Sequence, residues 1–570
     1  MKIITLFYVS LLSVSIQWSG AAKQAPNIVV FLADDMGWAD VGYHSDHMLT
    51  PNIDSLAADG VVLNHYYTQP LCSPSRGALL TGVHPIHTGL QNSVILHWSP
   101  TGLPLNFKLW PQYLKDAHNY STHIVGKWHL GHARKEFTPT YRGFDSHVGF
   151  WGAGQHYYNH SDCYFKGNCY LDFYHNMDVI RDASDIYSTD YFTDRCLHII
   201  DQQNTSQPLF LYVPYQAVHS ARVGLTLEAP QKYIDMFAYI ESDVRQKFAA
   251  MAYSMDASIG TVMQALHNKH MLDNSIVIFI SDNGGDNLEI VGNGASNRPL
   301  RGAKFGLFEG GIRVPALVWS PLLNKSGYVS DALVHVTDLL PTVLDAIDGT
   351  GIQDQQNIYG VSQWDVLSND GRPVRWEIHH NVDPVWNGSA ILWHDWKLVQ
   401  TPNPSSPSMG DWRSQQGYTD SQILLNHTQS FSTRQSTERR NSKTYGVLSA
   451  MSRKPDYSVL KGSAVECPPL PSTADTPTDC KTKLCLFNIR HDPCERHDLI
   501  GEIEAEFVAI LWDRLVEFNR TAVRPLTLTP NDYKNSDPTL YNNTIVNWLD
   551  YIDSSDHKTD VPVIMDRTEL

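Results

Sequence analysis

Uninterrupted apolar runs of strand length recur along the chain, and each stops at a cluster of polar or glycine residues. Asn27 to Ala33 ends in Asp34-Asp35-Met36-Gly37, and Ser275 to Ile280 ends in Ser281-Asp282-Asn283-Gly284-Gly285. Between them, Ser121 to Val125 runs into Gly126-Lys127-Trp128-His129-Leu130-Gly131, and Leu209 to Val213 leads on to His219. Ile312 to Trp319 reads as a further strand. Strands apolar on both faces belong to a parallel sheet covered by helices, where ligands gather at the strands' carboxyl ends.

Helical patterns fill the intervals. Thr50-Pro51 opens one as cap and first-turn proline and Gly60 closes it; others are predicted over Leu109 to Ala117, Ser188 to Gln203, Asp256 to His267 and Ser330 to Ile347. Strand and helix alternate to about residue 370, which predicts an α/β catalytic domain over 23–370. Beyond it, Ser389 to Val399 reads as an antiparallel hairpin, Lys483 to Ile489 as a strand and Ile503 to Phe518 as a closing amphipathic helix. This predicts a smaller α+β subdomain over 371–570, with a polar loop or insertion at about 402–465.

Composition narrows the class. The chain has 570 residues, 42% hydrophobic and 11% aromatic, enough for a large core and two domains of unequal size. A formal charge of −17 argues against a nucleic-acid partner. The 26 histidines, protonated together, would reverse the sign of the surface near lysosomal pH. Residues 1–22 combine one positive charge, a short apolar run and small residues, the pattern of a secretory signal peptide, and no later stretch is apolar enough to cross a bilayer. Eight Asn-X-Ser/Thr sequons, at Asn119, Asn159, Asn204, Asn324, Asn387, Asn426, Asn519 and Asn542, fit the same route.

Candidate chemistry sits at the strand ends. Asp34, Asp35, Asp282 and Asn283 are oxygen donors from two such ends, a set suited to Ca²⁺ or Mg²⁺ rather than zinc. In Pro70-Leu-Cys-Ser-Pro-Ser-Arg-Gly-Ala-Leu-Leu-Thr-Gly82, Pro74 favours a helical first turn, so Cys72 falls at a helix N-terminus, where free N–H groups favour an anion. Arg76, one turn on, reaches back toward the same spot. Lys127 and His129 share a loop leaving a strand, and Lys304 lies in a glycine-rich segment, Arg301 to Pro315, that permits close approach to a ligand.

Cys72-Ser-Pro-Ser-Arg76 followed by Leu79-Leu-Thr-Gly82 resembles the signature of the type I sulfatases without a mismatch, and Gly126 to Gly131 resembles their second signature. With Asn27 to Gly37, His219, Ser281 to Gly284 and Lys304, the likeness covers nearly the whole mature chain and is nearest to the arylsulfatase B branch. It implies an alkaline-phosphatase-like fold, a helix-flanked mixed sheet with a small C-terminal sheet. It implies that Cys72 is oxidised to Cα-formylglycine by a formylglycine-generating enzyme. One Ca²⁺ is then held by Asp34, Asp35, Asp282, Asn283 and residue 72. The roles implied are covalent catalysis by the aldehyde hydrate at 72, sulfonyl binding by Lys127 and Lys304, hydrate binding by Arg76 and His129, and proton donation by His219. The substrate class implied is a sulfate ester, first sulfated GalNAc of glycosaminoglycans and second small dietary or xenobiotic sulfates, in a lysosomal or secreted protein. The second signature departs from its usual Gly-Tyr in having Asn119-Tyr120, and Asn tolerates the left-handed conformation a turn there would need.

Setting Cys72 aside leaves seven of eight cysteines. Closeness in sequence pairs Cys163 with Cys169, Cys467 with Cys480 and Cys485 with Cys494, leaving Cys196 as a buried thiol on a helix face. Two rival classes stay open. A non-catalytic relative that binds sulfated glycans would have lost Cys72, Lys127 or a metal carboxylate, and a phosphatase of the same superfold would carry Ser or Thr at position 72.

Overall fold

The structure is a computed structural model that describes residues 24–165, 168–221, 226–286, 293–349, 358–401, 428–467, 480 and 482–553. The signal-peptide segment and the whole of the polar stretch 402–427, Asn426 included, lie outside the described residues. A ten-stranded sheet is built from β1 (Asn27–Ala33), β2 (Val61–Tyr67), β3 (Ser121–Lys127) and β4 (Ser146–Phe150). After a separate ribbon of β5 (Ser161–Phe165) and β6 (Asn168–Leu171), it takes in β7 (Tyr174–His175), β8 (Asp178–Val179), β9 (Leu209–Pro214), β10 (Ser275–Ser281), β11 (Ala316–Trp319) and β12 (Tyr328–His335). The strand order is β12-β2-β11-β10-β1-β9-β3-β4-β7-β8.

The central strands β10, β1, β9, β3 and β4 run parallel. Every residue of β1 is buried, and its side chains alternate between two cores: Val29, Phe31 and Ala33 in one, Ile28, Val30 and Leu32 in the other. Each fully buried large aliphatic side chain contributes about 1.5–3 kcal/mol, which is why this run has no polar position to spare. Register then fixes function: Ala33 pairs with Ser281 and Leu32 with Pro214, so the segments following β1, β9 and β10 emerge side by side.

A second, four-stranded antiparallel sheet consists of β13 (Glu377–Asp383), β14 (Gly388–Trp393), β15 (Trp396–Gln400) and β16 (Cys485–Asn488), in that order. The helix Ala505–Asn519 packs Leu511 and Leu515 on Ile391, Leu398 and Leu486 of this sheet.

Several sequence expectations change. Ser330 to Ile347 is a strand to His335, then a 3-10 turn and a helix over Leu339–Asp348; the period-two burial of β12 is that of a sheet edge. Ile312 to Trp319 begins as a helical turn, Glu309–Ile312, and becomes strand only after Pro315. The helix over Asp256 to His267 is the last half of a longer one, Asp243–Asn268. Part of the polar insertion is helical, Thr428–Asn441 and Lys443–Ala450, and Phe431, Val447 and Leu448 join the core of the large sheet.

Cys163–Cys169 forms as expected and Cys196 is a buried free thiol, but the other two pairs exchange partners: Cys467 bonds Cys494 and Cys480 bonds Cys485. The physical reason is register, since the Thr401 N–H donates to the Cys480 carbonyl at the end of β15, beside Cys485 at the start of β16. Burial opposes the expected reversal of surface charge. It lowers twelve of the 26 histidines below their ordinary value, which works against charging them as the pH falls.

Candidate active site

Helix α1 (Pro51–Asp59) follows β1, and helix α2 (Cys72–Thr81) follows β2. Cys72 is the first residue of α2, capped behind by Leu71 in extended conformation and closed ahead by Gly82 at φ 69°. Its thiol is buried, and Sγ lies 3.7 Å from Asp34 Oδ1. One turn on, Arg76 sends Nε and Nη2 to Asp282 Oδ2 at 3.1 and 2.9 Å, with Nη2 3.5 Å from Asp34 Oδ2. Its Nη1 donates to the Lys127 carbonyl, so one guanidinium ties α2 to the ends of three strands.

Four ligand atoms, one each from Asp34, Asp35, Cys72 and Asp282, lie within 4.8 Å of one another. Asn283 joins them: its Nδ2 donates to Asp35 Oδ1 at 2.7 Å, while its Oδ1 is buried without a hydrogen-bond partner among the described residues. An orphaned carbonyl oxygen beside three carboxylates is the donor set of a hard divalent cation, so the residues present fit one. Lys127 Nζ reaches Asp34 Oδ2 and Lys304 Nζ reaches Asp35 Oδ2, both at 2.6 Å.

Electrostatics separates the two adjacent carboxyls. Burial pushes Asp34 up to about 7, with Lys127 and Arg76 pulling against it and Asp282 and Asp35 adding to it. Asp35 is pushed up by burial too, but Lys304 and His219 outweigh that and hold it below the usual carboxylate range. The Cys72 thiol is driven up by burial, so an unmodified cysteine here is a poor nucleophile.

His219 is placed by its own loop. Its Nδ1 donates to the Ser220 carbonyl at 2.7 Å, which leaves Nε2 facing Asp35 Oδ2 at 3.6 Å. His129 is buried at φ 59°, and its carbonyl accepts from Ser73 Oγ at 2.8 Å, so its backbone is pinned to the start of α2. Lys304 arrives on a segment folded tightly upon itself. At Gly284, where that segment crosses, an added Cβ would lie 1.9 Å from the Gly310 carbonyl oxygen, and only glycine fits.

The structure thus brings together Asp34, Asp35, Cys72, Arg76, Lys127, His219, Asp282, Asn283 and Lys304, with His129 anchored alongside. Three supporting residues were not singled out from the sequence. Ser73 holds His129, Tyr157 donates its hydroxyl to the His219 carbonyl, and Asn293 donates to the Val218 carbonyl. All three act on backbone carbonyls, which leaves no charge or spacing signal to read.

Residues 26–350 match the family model described as Sulfatase. Arylsulfatase J of Mus musculus is 37% identical over 539 residues, covering 91% of this chain and 80% of that protein. N-acetylgalactosamine-6-sulfatase of Homo sapiens is 34% identical over 343 residues, covering 57% of this chain and 63% of that protein. Among solved structures, Ps i-CgsB in complex with k-i-k-neocarrahexaose superposes with a TM-score of 0.66 at 26% identity, covering 88% of this chain and 94% of that one. The protein yidJ of Bacteroides fragilis shares the fold, with a TM-score of 0.58 at 16% identity over 89% of this chain and 97% of that one. The large mixed sheet with its antiparallel C-terminal companion is the alkaline-phosphatase-like sulfatase fold, and this chain belongs to the sulfatase family.

Proposed function

We propose that this sulfatase cleaves sulfate monoesters with a formylglycine at position 72 and one Ca²⁺ held by Asp34, Asp35, Asp282, Asn283 and residue 72. The observation that carries the proposal is the convergence of four acidic and sulfur ligand atoms within 4.8 Å, beside an orphaned buried amide oxygen. The Cys72 Sγ of the structure stands where an oxygen of the aldehyde hydrate would be. Such a hydrate supplies one hydroxyl for attack on sulfur and a second whose deprotonation lets sulfate leave.

The chain's own residues supply the rest. Lys127 and Lys304 present two ammonium groups to the sulfonyl oxygens, whose growing charge they offset in a water-poor cup. Arg76 fixes the Asp282 carboxylate and, with His129, orients residue 72. His219 gives a proton to the departing alcohol through Nε2, because Nδ1 is committed to the Ser220 carbonyl.

The substrate we favour is sulfated GalNAc in glycosaminoglycans, supported by the relatives named N-acetylgalactosamine-6-sulfatase. Passage through the secretory pathway to lysosome or exterior, after modification by a formylglycine-generating enzyme, is supported by the exposure of all seven described sequon asparagines and by three disulfides. No helix among the described residues is long and apolar enough to cross a membrane. The test is paired: release of sulfate from nitrophenyl sulfate and of phosphate from nitrophenyl phosphate, each with and without a calcium chelator. Chelator-sensitive sulfate release well above phosphate release is expected; the reverse preference would contradict the proposal.

A further inference from the structure

Away from the cup, where β2 and β12 at the edge of the large sheet meet the small sheet, lies a cavity of about 720 Å³. None of the cup's residues lines it. Arg313, only 2% exposed, does. Its Nε donates to the Asn64 carbonyl at 2.7 Å and Nη2 to Asn64 Oδ1 at 3.2 Å. Nη1 has no hydrogen-bond partner among the described residues and comes only within 3.7 Å of Glu309 Oε2. That nitrogen is itself enclosed and the guanidinium lies 4.7 Å over the Trp38 ring, so an anionic oxygen in the cavity would meet the charge of Arg313 at the wall and offset the cost of burying it.

The walls agree with that reading. His65 Nδ1, 3.7 Å from Asp331 Oδ1, is also buried without a hydrogen-bond partner among the described residues, and the exposed Lys461 and Arg490 stand at the mouth. With Arg375, which Asp338 holds, the walls carry four Lys or Arg side chains against the three carboxylates Asp331, Asp395 and Glu466, in a chain of charge −17. Those carboxylates would repel a polyphosphate but accept hydroxyl hydrogens. At the rim, Trp376 is 52% exposed, and it also lines a neighbouring cavity of about 570 Å³ that reaches Trp393 and Arg514. An exposed indole between two polar hollows offers an apolar face with hydrogen-bonding groups on either side, the complement of a sugar ring in a chain.

We propose that this cleft is a second binding site for an anionic oligosaccharide, with a sulfate or carboxylate group on Arg313 and a sugar ring against Trp376. It would hold a part of the polymer that is not being cleaved. The choice of a sulfated saccharide rests on the reading of the cup as a glycan sulfatase; the buried guanidinium and the exposed indole do not.

The test uses the full chain carrying Cys72→Ala, so that nothing is hydrolysed, and a fluorescent chondroitin sulfate octasaccharide as probe. Two binding events per chain are expected. Trp376→Ala, or Lys461→Glu with Arg490→Glu, should remove one of them; all three side chains are exposed, so folding is not at stake. In the otherwise native chain, Trp376→Ala should raise KM for the polymer about tenfold and leave turnover of nitrophenyl sulfate unchanged. Unaltered stoichiometry in both variants would overturn the proposal, as would equal binding of an octasaccharide both desulfated and carboxyl-reduced, or competition by millimolar inorganic sulfate alone at the variant-sensitive site. If the native chain releases no sulfate from the aryl ester, the reading of the cup fails while the binding result stands on its own.

Discussion

Lys127 and Lys304 each rest 2.6 Å from a carboxylate that a divalent cation would otherwise neutralise, so their ammonium groups are positioned for whichever anion enters the cup. Replacing Lys304 with Ala should lower kcat by roughly 10²- to 10³-fold, the usual cost of losing one charge-stabilising donor, as read in steady-state assays of sulfate release. His219 makes a different prediction, because a proton donor matters only when the leaving group needs one. His219→Gln should cost about 10²- to 10⁴-fold on a sugar sulfate and far less on nitrophenyl sulfate, whose phenolate leaves unaided. Equal losses on both esters would remove His219 from that role. At this scale the sequence was informative wherever a carboxylate or amide side chain followed a buried strand, as with Asp34, Asp35, Asp282 and Asn283. It misled for two of the three disulfides, where Cys480 pairs with Cys485, five residues on, because β15 and β16 lie side by side.

Elements were legible in proportion to how fully both faces of a strand are buried. β1, β9 and β10 are buried at every position and stand out as apolar runs. β12 lies at the sheet edge with Asp331 exposed and Val329 and Leu333 half-buried, and its composition reads equally well as a helix. The helices Thr428–Asn441 and Lys443–Ala450 were hidden for a related reason: their apolar contribution to the core is a few side chains on an otherwise polar surface. Asn119 shows the opposite case, a local rule that carries through. It closes the helix Trp110–His118 at φ 54°, ψ 42°, the left-handed conformation that Asn tolerates. Asn119→Val should therefore cost roughly 1–2 kcal/mol by chemical denaturation, with Asn119→Gly close to neutral. Asn119 is exposed, so a glycan on its sequon meets no packed surface at the asparagine itself.

Across the whole molecule, a buried polar knot joins the two sheets. Lys397 of β15 lies 2.9 Å from Glu309 and 2.8 Å from Glu495, and Glu309 also accepts from the Tyr67 hydroxyl at the end of β2. Burial pushes Glu495 up to about 7, with Lys397 pulling against it. Lys397→Met would leave two buried carboxyls facing each other and should cost roughly 3–5 kcal/mol in urea unfolding, while loosening the segment that carries Lys304. A smaller effect would mean that the sheets are coupled elsewhere.

Buried histidines set how the fold responds to acid. His132, stacked beside Trp151, is held at about 4 by burial, below its ordinary 6.5. Its contribution is therefore complete above pH 6.5 and is lost as the pH falls toward 4. His132→Phe should make the decline of thermal stability across that window shallower by up to roughly 3 kcal/mol. An unchanged slope would show that the imidazole is already protonated in the fold.

The central claim, that position 72 carries an aldehyde at the cation site, is tested most directly by mass spectrometry of the proteolytic peptide containing residue 72, taken from protein with measured sulfatase activity. The account predicts that the peptide's mass fits formylglycine or its hydrate, in a fraction that tracks specific activity across preparations. A fully active preparation in which residue 72 is an unmodified cysteine would contradict it.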